Sequence, residues 1–198
     1  MAKKRRRKQV YEFKPDREGT ALLKRLYLTR LQRLQILKWS CHGALCILML
    51  TLQDVIMSQF RFSGATTDLA VCAIFLIGLY EGTENGSLFA FIASTVYLFA
   101  GTSPGAQCIA LISCGTVGLN LLRQTFWHRS GGSILLCTCA GIVSYEMLNF
   151  LFGIFVGNTI WERAPVFALV AVMTCICAFP LYPLVKLISK IGGDTWKE

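Results

Sequence analysis

The sequence predicts an all-α integral membrane protein, with six transmembrane helices in one bundle preceded by a basic amphipathic N-terminal helix. Of the 20 lysine and arginine residues, 13 lie within residues 1–38. Beyond residue 38 the chain consists of apolar stretches separated by short polar turns. A basic cap followed by such stretches is typical of a polytopic membrane protein with a cytoplasmic N-terminus. A soluble domain that is 54% hydrophobic would expose large apolar patches, so most soluble enzymes are excluded.

The hydropathy pattern predicts three regions. They are a cytoplasmic basic arm with the amphipathic helix (1–38), a membrane domain (39–191) and a cytoplasmic tail (192–198). Within the membrane domain, six spans are predicted at 39–57, 66–80, 86–100, 106–122, 133–155 and 165–188. Spans two and three have fifteen residues each, about 22 Å of helix, whereas the hydrocarbon core is about 30 Å thick. A re-entrant hairpin is therefore an alternative for this pair.

The distribution of basic residues predicts the orientation. With the N-terminus inside and six spans, 18 basic residues fall on the inner side. Only Arg61 and Arg163 fall on the outer side. The positive-inside rule therefore places both termini in the cytoplasm.

The arm has two parts. The polybasic run is suited either to binding anionic lipid headgroups or simply to setting orientation, and comprises Lys3, Lys4, Arg5, Arg6, Arg7 and Lys8. Nucleic-acid binding is not expected, because no folded reading element accompanies the run. Residues 20–38 form a helical pattern whose apolar face contains Leu23, Leu26, Tyr27, Leu31, Leu34 and Leu37. Such a helix usually lies in the membrane interface, and docking on a cytoplasmic partner is the alternative.

No catalytic, cofactor or metal site is expected. The two histidines, His42 and His128, belong to no metal-binding motif, and neither a nucleophile elbow nor a phosphate-binding loop is present. The nine cysteines all fall inside apolar stretches, where small packing residues are the expected role. The chain is therefore predicted not to be an enzyme.

Polar residues within the predicted spans are the remaining candidates for function. Tyr145, Glu146 and Asn149 lie together in span five, either as a buried hydrogen bond that fixes helix packing or as a contact for an ion or substrate. Near the outer side, Asp54 and Asp68 are expected to cap helices or to meet Arg61.

Small residues at helical spacing predict close helix contacts, either within the bundle or with a partner. The candidates are Gly86, Ala90 and Ser94 on span three, Ala110, Cys114 and Gly118 on span four, and Gly153 and Gly157 on span five. Pro180 and Pro183 are expected to kink span six.

Several of these marks, in order along residues 53–191, resemble the bacterial rod-shape-determining protein family MreD. They are Leu52-Gln53, Asp68 before span two, Gly86 with Ala90-Phe91, Pro104-Gly105, Gly118 with Leu121-Leu122-Arg123, Tyr145-Glu146 and Leu181-Tyr182-Pro183-Leu184. The chain departs from the family pattern at several points: Thr67 replaces a proline, Ala90 and Ser94 replace glycines, no acidic residue ends span three, and the basic arm to Lys38 is longer than expected.

The resemblance implies a non-enzymatic scaffold of the cell-wall elongation machinery in the bacterial cytoplasmic membrane. Its expected partners are the bitopic protein MreC and, through it, the MreB filament and the peptidoglycan synthases. Members also look similar in fold to the substrate-binding subunits of energy-coupling-factor vitamin transporters. A transporter subunit that uses Glu146, Asn149, Asn158 and Trp161 is therefore the alternative.

Overall fold

The structure is a computed structural model that describes residues 30–57, 59, 65–101, 103–126 and 131–191. These residues form six long helices and no β-strand, which confirms the all-α class. The helices are α1 (Arg30–Leu52), α2 (Leu69–Glu81), α3 (Thr83–Phe99), α4 (Gln107–Phe126), α5 (Gly131–Phe155) and α6 (Ala164–Ser189). A π-helical segment, Gln53–Met57, extends α1, and a 3₁₀ turn, Trp161–Arg163, precedes α6. The polybasic run, residues 1–29, Arg61, His128 and the tail 192–198 lie outside the described residues.

Three segments of the described chain are long and apolar enough to cross a membrane, namely Gln32–Ile56, Gly131–Phe155 and Trp161–Ser189. Large apolar side chains point outward from the bundle, and Phe99 and Phe155 are 83% and 86% exposed. An outward-facing surface of this kind suits a lipid environment rather than water.

Helix α2 lies at the centre of the bundle and contacts all five other helices. Twelve of its thirteen residues are buried, because its sequence is apolar on every side. Its length of about 20 Å is short for a bilayer. Its neighbours shield its backbone and side chains from the surroundings.

The turn between α2 and α3 depends on glycine. Gly82 alone separates the two helices and has a φ of +89°, a conformation that favours glycine. One helical turn to either side of Gly82, the backbones of Gly78 and Gly86 are in contact. A Cβ on Gly86 would lie 2.0 Å from the Gly78 carbonyl oxygen. Gly86, Ala90 and Ser94 are all buried. The small residues of α3 therefore lie inside the bundle.

The other small-residue candidates have different surroundings. Gly157, at φ +77°, lies just after the end of α5. The Gly153 carbonyl accepts hydrogen bonds from the amides of Asn158 and Thr159. This pair forms a helix-terminating turn and not a ridge against another helix. A Cβ on Gly118 would meet nothing within 4 Å, so this part of α4 has open space.

Helix α1 is continuous across the predicted boundary between arm and membrane domain. It begins at Arg30 and passes through Lys38 and Trp39 without interruption. The second half of the predicted amphipathic segment, residues 30–38, is therefore the first part of α1. Helix α6 likewise passes through Pro180 and Pro183 as one helix.

Candidate functional site: two buried polar clusters and an apolar groove

A buried ionic cluster, here the Glu81 cluster, joins α1, α2 and α6. The Lys38 Nζ lies 2.6 Å from Glu81 Oε2, and both side chains are less than a tenth exposed. The Ser189 hydroxyl donates to Glu81 Oε1 at 3.2 Å, and His42 Nε2 lies 3.9 Å from the same oxygen. Removing one partner of a buried ion pair leaves a buried charge without a counter-charge, which is costly. The contacts around Glu81 therefore hold α1, α2 and α6 together.

The Glu81 cluster contains a serine, a histidine and an acid, but not in the arrangement of a hydrolase triad. In a triad the acid holds one ring nitrogen and the serine faces the other. Here Ser189 and Glu81 both approach Nε2 of His42, at 3.4 and 3.9 Å. Because the serine hydroxyl gives its proton to Glu81, its lone pair faces His42. The serine is therefore oriented as a bridge between Glu81 and His42 and not as a nucleophile.

Helix α4 holds the last turn of α2 beside this cluster. The Asn120 amide donates to the Gly78 carbonyl at 3.1 Å, and the Arg123 guanidinium donates to the Leu79 carbonyl. The last carbonyls of a helix have no partner within it, so these side chains satisfy them. The arrangement fixes the tight turn at Gly82.

The second cluster, here the Asp68 cluster, lies at the start of α2. Asp68 caps the helix by accepting from the amide of Val71 at 3.4 Å, and the Tyr97 hydroxyl donates to its other oxygen at 2.8 Å. The Thr174 hydroxyl accepts from the Asp68 amide at 3.1 Å. The Gln53 side chain accepts from the Ala70 amide at 3.0 Å. Four helical segments thus meet at the first turn of α2, around the buried Asp68.

Tyr145, Glu146 and Asn149 continue from the Asp68 cluster into α5. The Tyr145 hydroxyl faces Tyr97 and Asn149, yet it has no hydrogen bond of ordinary geometry with a described residue. Both amide atoms of Asn149 are buried and also unpaired within the described residues. Glu146 is 7% exposed and forms no ion pair in the described part of the chain. Of the predicted polar candidates, this group alone has unused hydrogen-bonding capacity.

An apolar groove, here the α1–α3 groove, opens on the outside of the bundle and has a volume of about 120 Å³. Helices α1 and α3 form its walls, and Ala70 and Ile74 of α2 form its floor. Gly43 and Ala93 keep it open, and a Cβ added to Gly43 would meet nothing within 4 Å. The lining offers almost no polar surface, so the groove suits an apolar helix or acyl chain.

Sequence reasoning found the residues of α5 but not the way the two clusters assemble. Asp68 caps a helix, as predicted, whereas Arg61 lies outside the described residues. Asp68 lies close enough to interact electrostatically with both Tyr145 and Glu146, which their positions in the sequence did not predict. The Glu81 cluster was missed, and the only available signal was a lysine and a histidine four residues apart in an apolar stretch.

No metal centre or disulfide is formed by the described residues. All nine cysteines are free, and no group of three metal-binding side chains converges in the described ranges. The Cys175 thiol donates to the Cys139 carbonyl at 3.8 Å, which is a packing contact between α5 and α6.

Comparison of the chain with protein-family models, with curated proteins and with solved structures finds no match.

Proposed function

We propose that this chain is a non-enzymatic membrane scaffold of the MreD type, which recruits a bitopic MreC-type protein and, through it, the MreB filament and the peptidoglycan synthases. In this proposal the six helices all cross the bacterial cytoplasmic membrane and both termini are cytoplasmic. The sequence marks from Leu52 to Leu184 support the family. The arm is proposed to bind anionic lipid headgroups on the inner side.

The α1–α3 groove is the observation that carries this proposal. Lipid tails are as apolar as a transmembrane helix, so the hydrophobic effect does not drive a partner helix onto the bundle. Such a helix binds where small residues permit close packing. The groove supplies this at Gly43, Ala70 and Ala93, with Ile47 and Ile92 exposed on its walls. The lining carries almost no polar surface, which matches the apolar middle of a bitopic helix.

The interior of the bundle also supports a scaffold. The Glu81 cluster uses its charged groups for one another, and α4 closes the last turn of α2. Because the Glu81 cluster is committed to internal contacts, it holds α1, α2 and α6 rigidly and so supports a fixed surface for a partner. The buried Gly78–Gly86 contact adds to this rigidity, because it leaves no room for sliding.

Filling the groove tests the proposal. Gly43→Leu adds a side chain where the bundle has open space, so the fold is retained while the groove is occupied. Gly118→Leu is the matched control, since Gly118 is also helical and also faces open space. After in-cell crosslinking and mild detergent extraction, mass spectrometry should recover the bitopic partner and wall synthases with the wild type and with Gly118→Leu. Recovery should fall about tenfold or more with Gly43→Leu, as expected when a close helix contact is lost.

Photocrosslinkers locate the partner independently. Ile47 and Ile92 are 59% and 55% exposed in the groove, and Ile176 is 58% exposed on α6. Crosslinks to the bitopic protein from the first two positions and none from Ile176 are expected. Equal crosslinking from all three positions, or no recovery of wall proteins at all, would contradict the proposal.

A second candidate function is a substrate-binding subunit of an energy-coupling-factor type transporter. The unpaired polar atoms of Tyr145 and Asn149 favour it, since a ligand site requires such convergent groups. Recovery of paired ATPases and a coupling subunit in the same crosslinking experiment would select this candidate over the scaffold.

A further inference from the structure

A second groove, here the α5–α6 groove, opens between the last two helices and has a volume of about 250 Å³. Its walls are apolar and include Val143, Met147, Phe150 and Phe167. Glu146 is the only ionisable residue in the lining. Val143 and Met147 are largely exposed, so the groove opens on the outer surface of the bundle. An apolar channel with one carboxylate is unusual, because a lone buried carboxylate is costly in such surroundings.

Two other buried polar side chains of α5, Tyr145 and Asn149, lie beside Glu146 in the sequence but do not line the groove. Asn149 follows Glu146 by three residues, which places it about 60° away around the helix. Tyr145 and Asn149 are separated by four residues and share a face. Asn149 is 5% exposed and Tyr145 is 2% exposed, and neither has a hydrogen bond within the described chain. Glu146 is therefore the polar side chain that a molecule bound in the groove would contact, and Tyr145 and Asn149 lie on the neighbouring face of the helix.

We propose that the α5–α6 groove binds an amphiphile with a primary ammonium group and an apolar chain. The ammonium has three donors and a positive charge. The Glu146 carboxylate neutralises this charge and accepts a charge-assisted hydrogen bond from the ammonium. The chain lies along Phe150 and Phe167, whose ring centroids are 5.2 Å apart. A metal ion fits less well, since no three metal-binding side chains converge within the described ranges.

Neither water nor a neutral alcohol matches the groove as well. The volume exceeds that of a few waters, and the walls offer them no hydrogen bonds apart from those of Glu146. A hydroxyl has a single donor and no charge to neutralise Glu146. A quaternary ammonium has charge but no donor, so it would leave the Glu146 carboxylate without a hydrogen bond.

Binding can be measured on the full-length protein with octylammonium as the probe. Trp161 is the reporter, since its ring lies 5.7 Å from that of Phe150 in the groove wall. A saturable change in tryptophan emission is expected, and Trp161→Phe should remove it. Octanol and octyltrimethylammonium should bind at least about tenfold more weakly, because each lacks part of the charge-assisted hydrogen bonding.

Three variants test the residues. Glu146→Gln keeps the size but removes the charge, and Ala168→Phe fills the groove without touching Glu146. Each should weaken octylammonium binding about tenfold or more. Glu162→Gln is the control, because Glu162 is an exposed acid beside Trp161 and should bind as the wild type does. Absence of saturable binding, equal binding by Glu146→Gln, or equal binding of octyltrimethylammonium would each overturn the proposal.

The source of the amine is separated by a second measurement. Native mass spectrometry of the protein extracted from cell membranes should retain a primary-amine phospholipid if the ligand is a lipid headgroup. Octylammonium binding without such a retained lipid would indicate a free amine. The groove lies between α5 and α6, away from the α1–α3 groove, so failure here leaves the scaffold proposal standing.

Discussion

Glu81 and Asp68 are buried carboxylates at the two ends of α2, and their surroundings differ. Glu81 has a lysine ammonium at 2.6 Å and a serine hydroxyl at 3.2 Å. The Asp68 carboxylate accepts hydrogen bonds from the Tyr97 hydroxyl and from a backbone amide. In the described part of the chain, no basic side chain is bonded to it. The first carboxylate is stabilised by charge and the second by hydrogen bonds, so their loss should have different consequences.

Replacing Glu81 with glutamine should destabilise the protein strongly. The variant leaves the Lys38 ammonium buried without a counter-charge, a loss of about 3–5 kcal/mol for a buried pair. Thermal unfolding of the full chain in detergent measures this. Glu84→Gln, an exposed acid three residues along the chain, is the control and should unfold as the wild type does.

The double variant Lys38→Met, Glu81→Leu distinguishes charge from packing. Removing both charges avoids the unpaired ammonium, so much of the stability should return. If the double variant is as unstable as the sum of the two single variants, the ion pair is not the cause.

Replacing Tyr97 with phenylalanine should have a smaller effect. The change removes one donor from the buried Asp68 carboxylate, which costs about 1–3 kcal/mol. Tyr182→Phe, at a residue that is only partly buried, is the matched control. If Tyr97→Phe and Tyr182→Phe unfold at the same midpoint, the Tyr97 hydroxyl contributes nothing to stability.

The sequence could identify the residues of these clusters but not their partners. Asp68 was predicted to cap a helix, because acids before an apolar stretch commonly do so. Tyr97 lies 29 residues further along the chain, and Ser189 lies 108 residues from Glu81. Local pattern carries no information on such pairs, since they depend on how helices pack.

At the level of elements, the predicted bounds of spans two to six lie within four residues of the helices, whereas span one was predicted to begin nine residues after α1 does. Hydropathy and turn residues mark such boundaries well. The surroundings of each helix were harder to predict. Helix α2 has an apolar sequence on every side, which is compatible with either lipid or protein neighbours. The structure places it in the centre, and α3 then uses Gly86, Ala90 and Ser94 to approach it.

The helix contact at Gly86 can be tested with one methyl group. Gly86→Ala would place a Cβ 2.0 Å from the Gly78 carbonyl oxygen, so α2 and α3 must separate. Overpacking of this kind costs about 1–3 kcal/mol, which exceeds the gain of up to about 1 kcal/mol from replacing glycine in a helix. The unfolding midpoint should therefore fall.

Gly118→Ala is the control for this contact. It has the same helical gain, and its new methyl group meets nothing within 4 Å. Its unfolding midpoint should remain or rise slightly. A Gly86→Ala variant as stable as Gly118→Ala would show that the backbones of α2 and α3 are not in contact.

The whole molecule is organised around α2, which is fixed at Asp68 and Glu81 and surrounded by five helices. A span of about 20 Å is too short for the hydrocarbon core alone, yet its neighbours shield it from lipid. The predicted crossing and the re-entrant alternative place the turn after α2 at different depths. In the crossing, Glu84 reaches the cytoplasm; in the re-entrant hairpin it lies within the membrane.

Labelling at Glu84 decides between these arrangements. Glu84 is exposed at the α2–α3 turn, so Glu84→Cys supplies a thiol there without disturbing packing. If α2 crosses, a membrane-impermeant maleimide should label this cysteine in inverted vesicles and not in intact cells. Asn158→Cys, exposed between α5 and α6, should show the opposite pattern. Labelling of the native cysteines in the unmodified chain gives the background to subtract. Protection of residue 84 from both sides, with residue 158 still labelled from outside, would establish the re-entrant hairpin and remove two of the six crossings.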